Sequence, residues 1–257
     1  MAANERSREE HEPETPQSSA QVEAVARRAE QLTSDAERHV PAWLRPGDPE
    51  NRWPVLIAIF TVIVIQHSIP LQYTVLPRWP LIIMELLLLL VMLLINPVRL
   101  SRPTTLGRWA SLVLTAAITV DNTASAVVLA KRILSGEVSN NAAVLLGGGA
   151  AIFVTNVIAF GIWYWELDRG GPFVRRAGKR PYPDFLFPQM SDPDKATPDW
   201  RPTFVDYLYV SFTNVVAFSP TDTMPLSRWA KGMMTVQSLV SMTTIALVIA
   251  RAVNVLG

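Results

Sequence analysis

Long apolar runs alternate with polar breaks along most of this chain. Beyond Trp53, six apolar segments follow one another at about 53–73, 79–96, 109–130, 142–165, 204–219 and 229–254. Crossing roughly 30 Å of hydrocarbon takes about 20 apolar residues in a helix. Backbone groups in lipid must be satisfied locally, so these runs predict helices and not strands. Pro70 ends or kinks the first. The fifth is short and partly polar, and either spans or re-enters. The pattern favours six spans. The expected fold is therefore all-α, a polytopic transmembrane helical bundle over 53–257.

The polar pattern before Trp53 predicts a separate tail over 1–52. Residues 1–20 are rich in Glu, Arg, Pro, Ser and Gln, cannot bury a core, and read as disordered. Residues 20–39 have apolar positions at helical spacing and charges elsewhere, the pattern of a solvated or membrane-surface helix. Pro41, Pro46 and Pro49 break any helix before the first apolar run. A long polar stretch ahead of that run is not the pattern of a signal peptide.

Composition narrows the chemistry. The chain has 257 residues, 49% hydrophobic, a net charge of +1 and no cysteine. Near-neutral charge speaks against nucleic-acid binding. Lack of cysteine excludes disulfides, thiol catalysis and Cys-ligated zinc or iron–sulfur clusters. Of the three histidines, His11 and His39 lie in the tail, so a histidine metal site is not expected. No HExxH helix, GxSxG elbow, phosphate loop or GxGxxG fingerprint occurs. The reading is a non-enzyme with no cofactor and no metal.

Basic residues lie unevenly. If the first four segments span, one side holds Arg38, Arg45 and Arg52, then Arg99, Arg102 and Arg108, then the Arg- and Lys-rich loop 167–203. The other side holds only Arg78 and the pair Lys131-Arg132. The positive-inside rule puts the first group in the cytoplasm, with the N-terminus. Loop 167–203 itself reads as solvated and facing lipid headgroups. Trp53, Trp79, Trp109, Trp163, Trp165 and Trp229 occupy segment ends, the aromatic-belt position. Gly147-Gly148-Gly149 would let segment four approach a neighbour closely.

Charged groups inside a span cost about 2.5–3.5 kcal/mol on insertion scales, so each one calls for a reason. Glu85 lies inside segment two, Asp121-Asn122 near the middle of segment three, Gln66 and His67 late in segment one, and Asn156 in segment four. They suit an ion or proton pathway, or a buried polar network that fixes helix register, with Arg251 as a partner for the carboxylates.

The stretch 200–254 carries the most specific signal. Asp206, Tyr207, Leu208, Tyr209, Ser211 and Phe212 precede Ala217, Phe218, Thr221 and Asp222, and a long span closes it. This resembles a bacterial family of predicted inner-membrane proteins of unknown function, in layout over 53–256 and specifically over 204–255. The likeness implies a multi-pass protein of a bacterial plasma membrane. The same hairpin resembles the pore helix, filter and inner helix of pore-loop cation channels, through Asp222-x-x-Pro225 followed by Trp229-Ala230. A potassium filter needs glycines to reach its dihedrals. Here Ser219, Pro220 and Thr221 stand instead, and neither proline nor a β-branched residue reaches φ > 0 easily. A potassium-selective filter is not expected. Ser219, Thr221 and Asp222 either offer oxygens to a cation, or form an interfacial turn that caps the following helix.

The expected function is a channel-like or transporter-like conduit for a small ion, with Asp222 and its neighbours Ser219 and Thr221 at the mouth. Asp121 and Glu85 would be internal polar steps. The alternative is a non-transporting scaffold or accessory subunit. Its partners would be the lipid bilayer, a second copy of the chain, and a cytoplasmic protein met through the tail.

Overall fold

The computed structural model describes residues 40–75, 77–95, 104–138, 141–216 and 222–256, together with Val25, Arg27 and Arg28. The chain divides into two compact units, Met1–Pro41 and Ala42–Gly257. In the first, Val25, Arg27 and Arg28 are helical and exposed. The second begins with a turn of 3-10 helix at Ala42–Leu44 and contains every other element described.

Its helices are α1 (Trp53–Ser68), α2 (Arg78–Ile95), α3 (Thr105–Ser135), α4 (Ala142–Leu167), the short α5 (Pro172–Arg176) and α6 (Pro188–Ser191), α7 (Phe204–Val216) and α8 (Arg228–Leu256). Four of them, α2, α3, α4 and α8, are long and apolar enough to cross a membrane, and α1 is a shorter apolar helix. The apolar runs thus become helices close to their expected bounds.

Local chemistry sets the ends. Pro54 opens α1, where its missing N–H costs nothing, and Ile69 turns extended just before Pro70. Thr104 caps α3, its Oγ1 accepting from Gly107 N at 3.1 Å, and Gly136 stops it at φ 77°. These signals lie outside the apolar run and make α3 longer than hydropathy alone indicates. Asn141 caps α4 by accepting from Ala143 N at 2.9 Å. At α8 the cap is Ser227, whose Oγ accepts from Ala230 N at 3.4 Å. Ser219 and Thr221, expected as caps of the following helix, lie outside the described residues, and α8 starts at Arg228. Asp222 lies outside the first turn.

α4 is the hub of the bundle. It packs against α1, α3, α7 and α8, while α2 packs chiefly on α3. Two of its glycines set close approaches. A Cβ on Gly149 would lie 2.8 Å from Val248 Cγ2 of α8, and one on Gly161 would lie 3.1 Å from Leu208 Cα of α7.

The bundle has two distinguishable ends. At the far end, Ile69, Tyr73, Leu129, Leu145, Val248 and Ala252 share a core cluster. The opposite end is closed by the segment from Ala42 to Arg52, the loop 167–203 and the start of α8. Arg52 Nη1 donates to Met92 O at 2.7 Å, and Gly47 N donates to Arg176 O at 3.0 Å. Of the three basic stretches grouped by charge, the flank with Arg45 and Arg52 and the loop 167–203 therefore lie at one end. The loop is folded, not merely solvated. Within it β1 (Phe185–Leu186) pairs antiparallel with β2 (Met224–Pro225), Phe185 opposite Pro225.

Both α7 and α8 start at this capped end. Tyr207 on α7 and Trp229 on α8 both contact Phe185, and deeper in, Asn214 reaches Met234 and Gln237. The two helices therefore run side by side in the same direction. α7 has 13 residues, about 20 Å at 1.5 Å per residue, short of the roughly 30 Å of a bilayer core. By Met224 the chain is back at the capped end, paired with β1. α7 is thus too short to cross a bilayer by itself, and four of the described helices are long enough to do so, where the sequence pattern favours six spans. α8 crosses from the cap to the far cluster, so the end of α8 lies opposite the cap.

Candidate functional site

Three helices bring the intramembrane carboxylates together. Gln66 near the end of α1, Glu85 two turns into α2 and Asp121 at mid-α3 all point into the bundle, at 5%, 0% and 4% exposure. Gln66 Nε2 donates to Asp121 Oδ2 at 3.3 Å. Glu85 lies within the electrostatic reach of both Gln66 and Asp121. Both Glu85 carboxylate oxygens and Gln66 Oε1 are buried without a hydrogen-bond partner. Next to Asp121 and one turn on along α3, Asn122 Oδ1 and Ser125 Oγ are buried and unpartnered as well, as is Thr155 Oγ1 on α4.

The charged neighbour that bears on Asp121 is Arg78, at the start of α2. Its Nη2 donates to Ile69 O, which ties it to the end of α1. No ion pair to either carboxylate forms among the described residues. His67, expected with Gln66, faces outwards, with its ring 6.1 Å from that of Trp79 in an edge arrangement. The cluster thus sets two carboxylates beside a carboxamide with part of their hydrogen-bonding capacity unused.

A second polar group ties α7 to α4 and α8. Gln237 of α8 is fully buried, and every hydrogen-bonding atom of its side chain is used. Its Oε1 accepts from Tyr164 Oη at 2.6 Å and Asn214 Nδ2 at 2.8 Å. Its Nε2 donates to Ser211 O at 3.1 Å and Ser211 Oγ at 2.6 Å. Ser211 Oγ in turn donates to Val157 O at 2.6 Å. Asn156 Nδ2 donates to Ser241 Oγ at 2.6 Å and Gln237 O at 3.2 Å. Asn156 is thus part of a buried polar network that joins α4 to α8. Gln237 and Tyr164 were not foreseen, because a single Gln or Tyr in an apolar run is also compatible with an interfacial position.

At the capped end the anchor is Asp168, fully buried. It accepts from Tyr207 Oη at 2.6 Å, Asp184 N at 2.8 Å and Arg169 Nε at 3.4 Å. Arg169 is held at φ 51°, ψ 25°, the left-handed region, which turns the chain sharply after α4. Asp184 Oδ1 accepts from Trp229 Nε1 at 2.8 Å, which joins this turn to α8. Arg175 pairs with Glu50 at 3.1 Å and lies over the rings of Tyr207 and Trp165. Burial alone would depress the Arg175 guanidinium, but Glu50, Tyr207 and Asp168 outweigh it and hold the group above its ordinary value. Trp165 is 2% exposed and donates to Glu50 Oε2 at 2.7 Å, so it is a core residue and not part of an aromatic belt. Trp53, Trp79 and Trp109 are exposed at helix ends, as a belt requires. Glu166, also unforeseen, is buried and accepts from Ser111 Oγ.

Of the residues predicted for an ion pathway, Asp121 and Glu85 come together. Asp222 is exposed at the capped end, apart from them. Ser219 and Thr221 lie outside the described residues. Among the described residues, no three acidic or histidine side chains gather as a metal site. No protein family, curated protein or solved structure matches this chain.

Proposed function

We propose that this protein is a membrane conduit for a small cation or proton. The observation that carries the reading is the pair Glu85 and Asp121, buried on adjacent helices beside Gln66, with both Glu85 oxygens unpartnered and one 3.3 Å hydrogen bond from Gln66 on Asp121. Two carboxylates in an apolar bundle are costly. A structural pair would be offset by a guanidinium or by a full set of donors, as Asp168 is at the cap. A pair left open is suited to binding an ion or proton in passing.

The course of α7 supports the same reading. Irregular backbone at membrane depth is tolerated where it is buried or lines a water-filled cavity. The hairpin's resemblance to pore loops agrees with this, and Asp222 at the capped end would stand at the mouth. With the basic segments cytoplasmic, this mouth faces the cytoplasm and the end of α8 faces out. A bacterial inner membrane is the setting that the resemblance of 204–255 suggests.

The test is flux into liposomes holding the purified protein, under potassium, sodium, proton and chloride gradients in turn. The wild type should pass a cation or protons and not chloride. Glu85→Gln and Asp121→Asn should each cut the rate by about tenfold, equivalent to ~1.4 kcal/mol. Asp222→Asn should lower it less, through reduced cation concentration at the mouth. If folded wild-type protein passes none of the four ions, the conduit reading is wrong and the scaffold reading takes its place.

A further inference from the structure

The capped end encloses a cavity of about 180 Å³ lined by Arg169, Arg175, Arg176 and Arg201, with Asp48 and Glu50. Four arginines against two carboxylates leave the walls with an excess of positive charge. Glu50 is already engaged by Arg175 and by Trp165 Nε1. Asp48 is exposed. The carboxylates therefore do not satisfy the remaining guanidinium donors.

The hydrogen bonds of these arginines point the same way. Arg176 uses Nε on Gly47 O at 3.0 Å, and its two terminal nitrogens meet no acceptor among the described residues. Arg169 uses Nη1 on Trp43 O at 2.8 Å. Two more N–H groups of lining residues, Trp43 Nε1 and Arg175 Nε, are buried without a partner. No lining oxygen is left in that state among the described residues. Arg201 donates Nη1 to Arg45 O at 2.9 Å and Nη2 to Pro46 O at 3.1 Å, which leaves one hydrogen on each terminal nitrogen, and it lies against Gly47, where a Cβ would fall 1.8 Å from its Nη1. Burial first, and then the neighbouring Arg45, lowers the Arg201 guanidinium, as expected where positive charge is crowded. Guanidinium groups match the oxygens of phosphate in a planar, two-point fashion that a water molecule does not supply.

We propose that this arginine-lined cavity binds a phosphate group. Two sources share that chemistry, free phosphate and the headgroup of an anionic lipid, since the cavity opens at the level where the helices end. The bound group would bridge the segment 43–50 to the loop 169–203, both of which line the cavity. It is independent of the conduit reading, which involves none of these residues.

The test uses full-length protein in nanodiscs of phosphatidylcholine, labelled at arginine with phenylglyoxal and read by peptide mass spectrometry. Sodium phosphate is compared with sodium chloride at equal ionic strength. Phosphate should slow labelling of Arg176 and Arg201 by about tenfold, while the exposed Arg228 reacts at an unchanged rate. Nanodiscs containing phosphatidic acid identify the source. Protection there without added phosphate, and none from soluble phosphate in phosphatidylcholine, assigns the site to a lipid headgroup. Protection by soluble phosphate alone assigns it to the free ion. Gly47→Ala keeps every charge but displaces Arg201, and should weaken protection at that residue. Equal labelling of wild-type Arg176 and Arg201 in chloride, phosphate and phosphatidate would overturn the proposal, and it needs no variant to fold.

Discussion

Gln237 and Gln66 hold comparable places in the two halves of the bundle. Each is buried in an apolar helix and each faces polar groups on two neighbouring helices. Gln237 makes four side-chain hydrogen bonds, to Tyr164, Asn214 and twice to Ser211. Gln66 makes one, at 3.3 Å to Asp121, and its carbonyl oxygen has no partner. A closed network in low dielectric rigidifies what it joins, whereas an open one is costly to fold. Around Gln237 the consequence is a half-helix held at a fixed depth. Around Gln66 it is a site with unoccupied oxygens and two carboxylates. On the proposed reading, the same residue type serves architecture in one half and binding in the other. Completeness of its hydrogen bonds distinguishes the two roles.

The strongest way to break this comparison is Gln237→Leu. That change strands Tyr164 Oη in the interior and removes one of the two acceptors of Asn214 Nδ2 and both bonds to Ser211. An orphaned group costs about 1–3 kcal/mol in soluble proteins, and less in membranes where the unfolded state finds other partners, while each further interhelical bond lost averages about 0.6 kcal/mol. A loss of about 2–4 kcal/mol follows from the sum. Unfolding in mixed detergent micelles, followed by tryptophan fluorescence, measures it. A loss below ~0.5 kcal/mol would mean that apolar packing alone holds α7.

Gly161→Ala comes next. The added methyl meets Leu208 Cα, backbone that cannot rotate away, at 3.1 Å. Over-packing of this kind costs about 1–3 kcal/mol. Gly147→Ala is the control, because nothing lies within 4 Å of its would-be Cβ. The same unfolding titration should separate the two variants. If they are equally stable, α7 is free to shift outwards and the close approach is not a constraint.

Much of the architecture was legible because hydropathy and helix end-signals are local. Pro70 and the apolar runs needed no tertiary information. Loop 167–203 was not legible in the same way. Its Asp, Arg and Pro residues have one composition whether solvated or folded, and the contact that folds it joins Asp168 to Tyr207, 39 residues apart. Trp165 looked like an interface residue until Glu50, 115 positions away, proved to be its partner. The candidate site was half legible. Rarity in an apolar run singled out Glu85, Asp121 and Gln66, but helix rotation decides whether they meet, and no sequence period sets that angle. His67, adjacent to Gln66, shows the point, since one step along the helix turns the side chain by about 100° and out of the bundle.

Gln66→Leu should have the smallest effect on stability and is the sharpest test of the comparison. It removes one long hydrogen bond and an oxygen that had no partner. Interhelical hydrogen bonds in membranes average about 0.6 kcal/mol, and leucine restores apolar contact, so the net change should stay within about 1 kcal/mol. Flux is a different matter. Leucine takes away both the amide that orients Asp121 and one of the oxygens available to a passing ion, and it leaves Glu85 and Asp121 without a neutral group between them. The rate should fall by about tenfold although folding is intact. Stability and transport would then separate at Gln66 and stay joined at Gln237, where the half-helix itself is lost. If Gln66→Leu instead destabilises as much as Gln237→Leu, the cluster on α1, α2 and α3 is a sealed structural network completed by internal water, and the conduction step has to be sought at the hairpin alone.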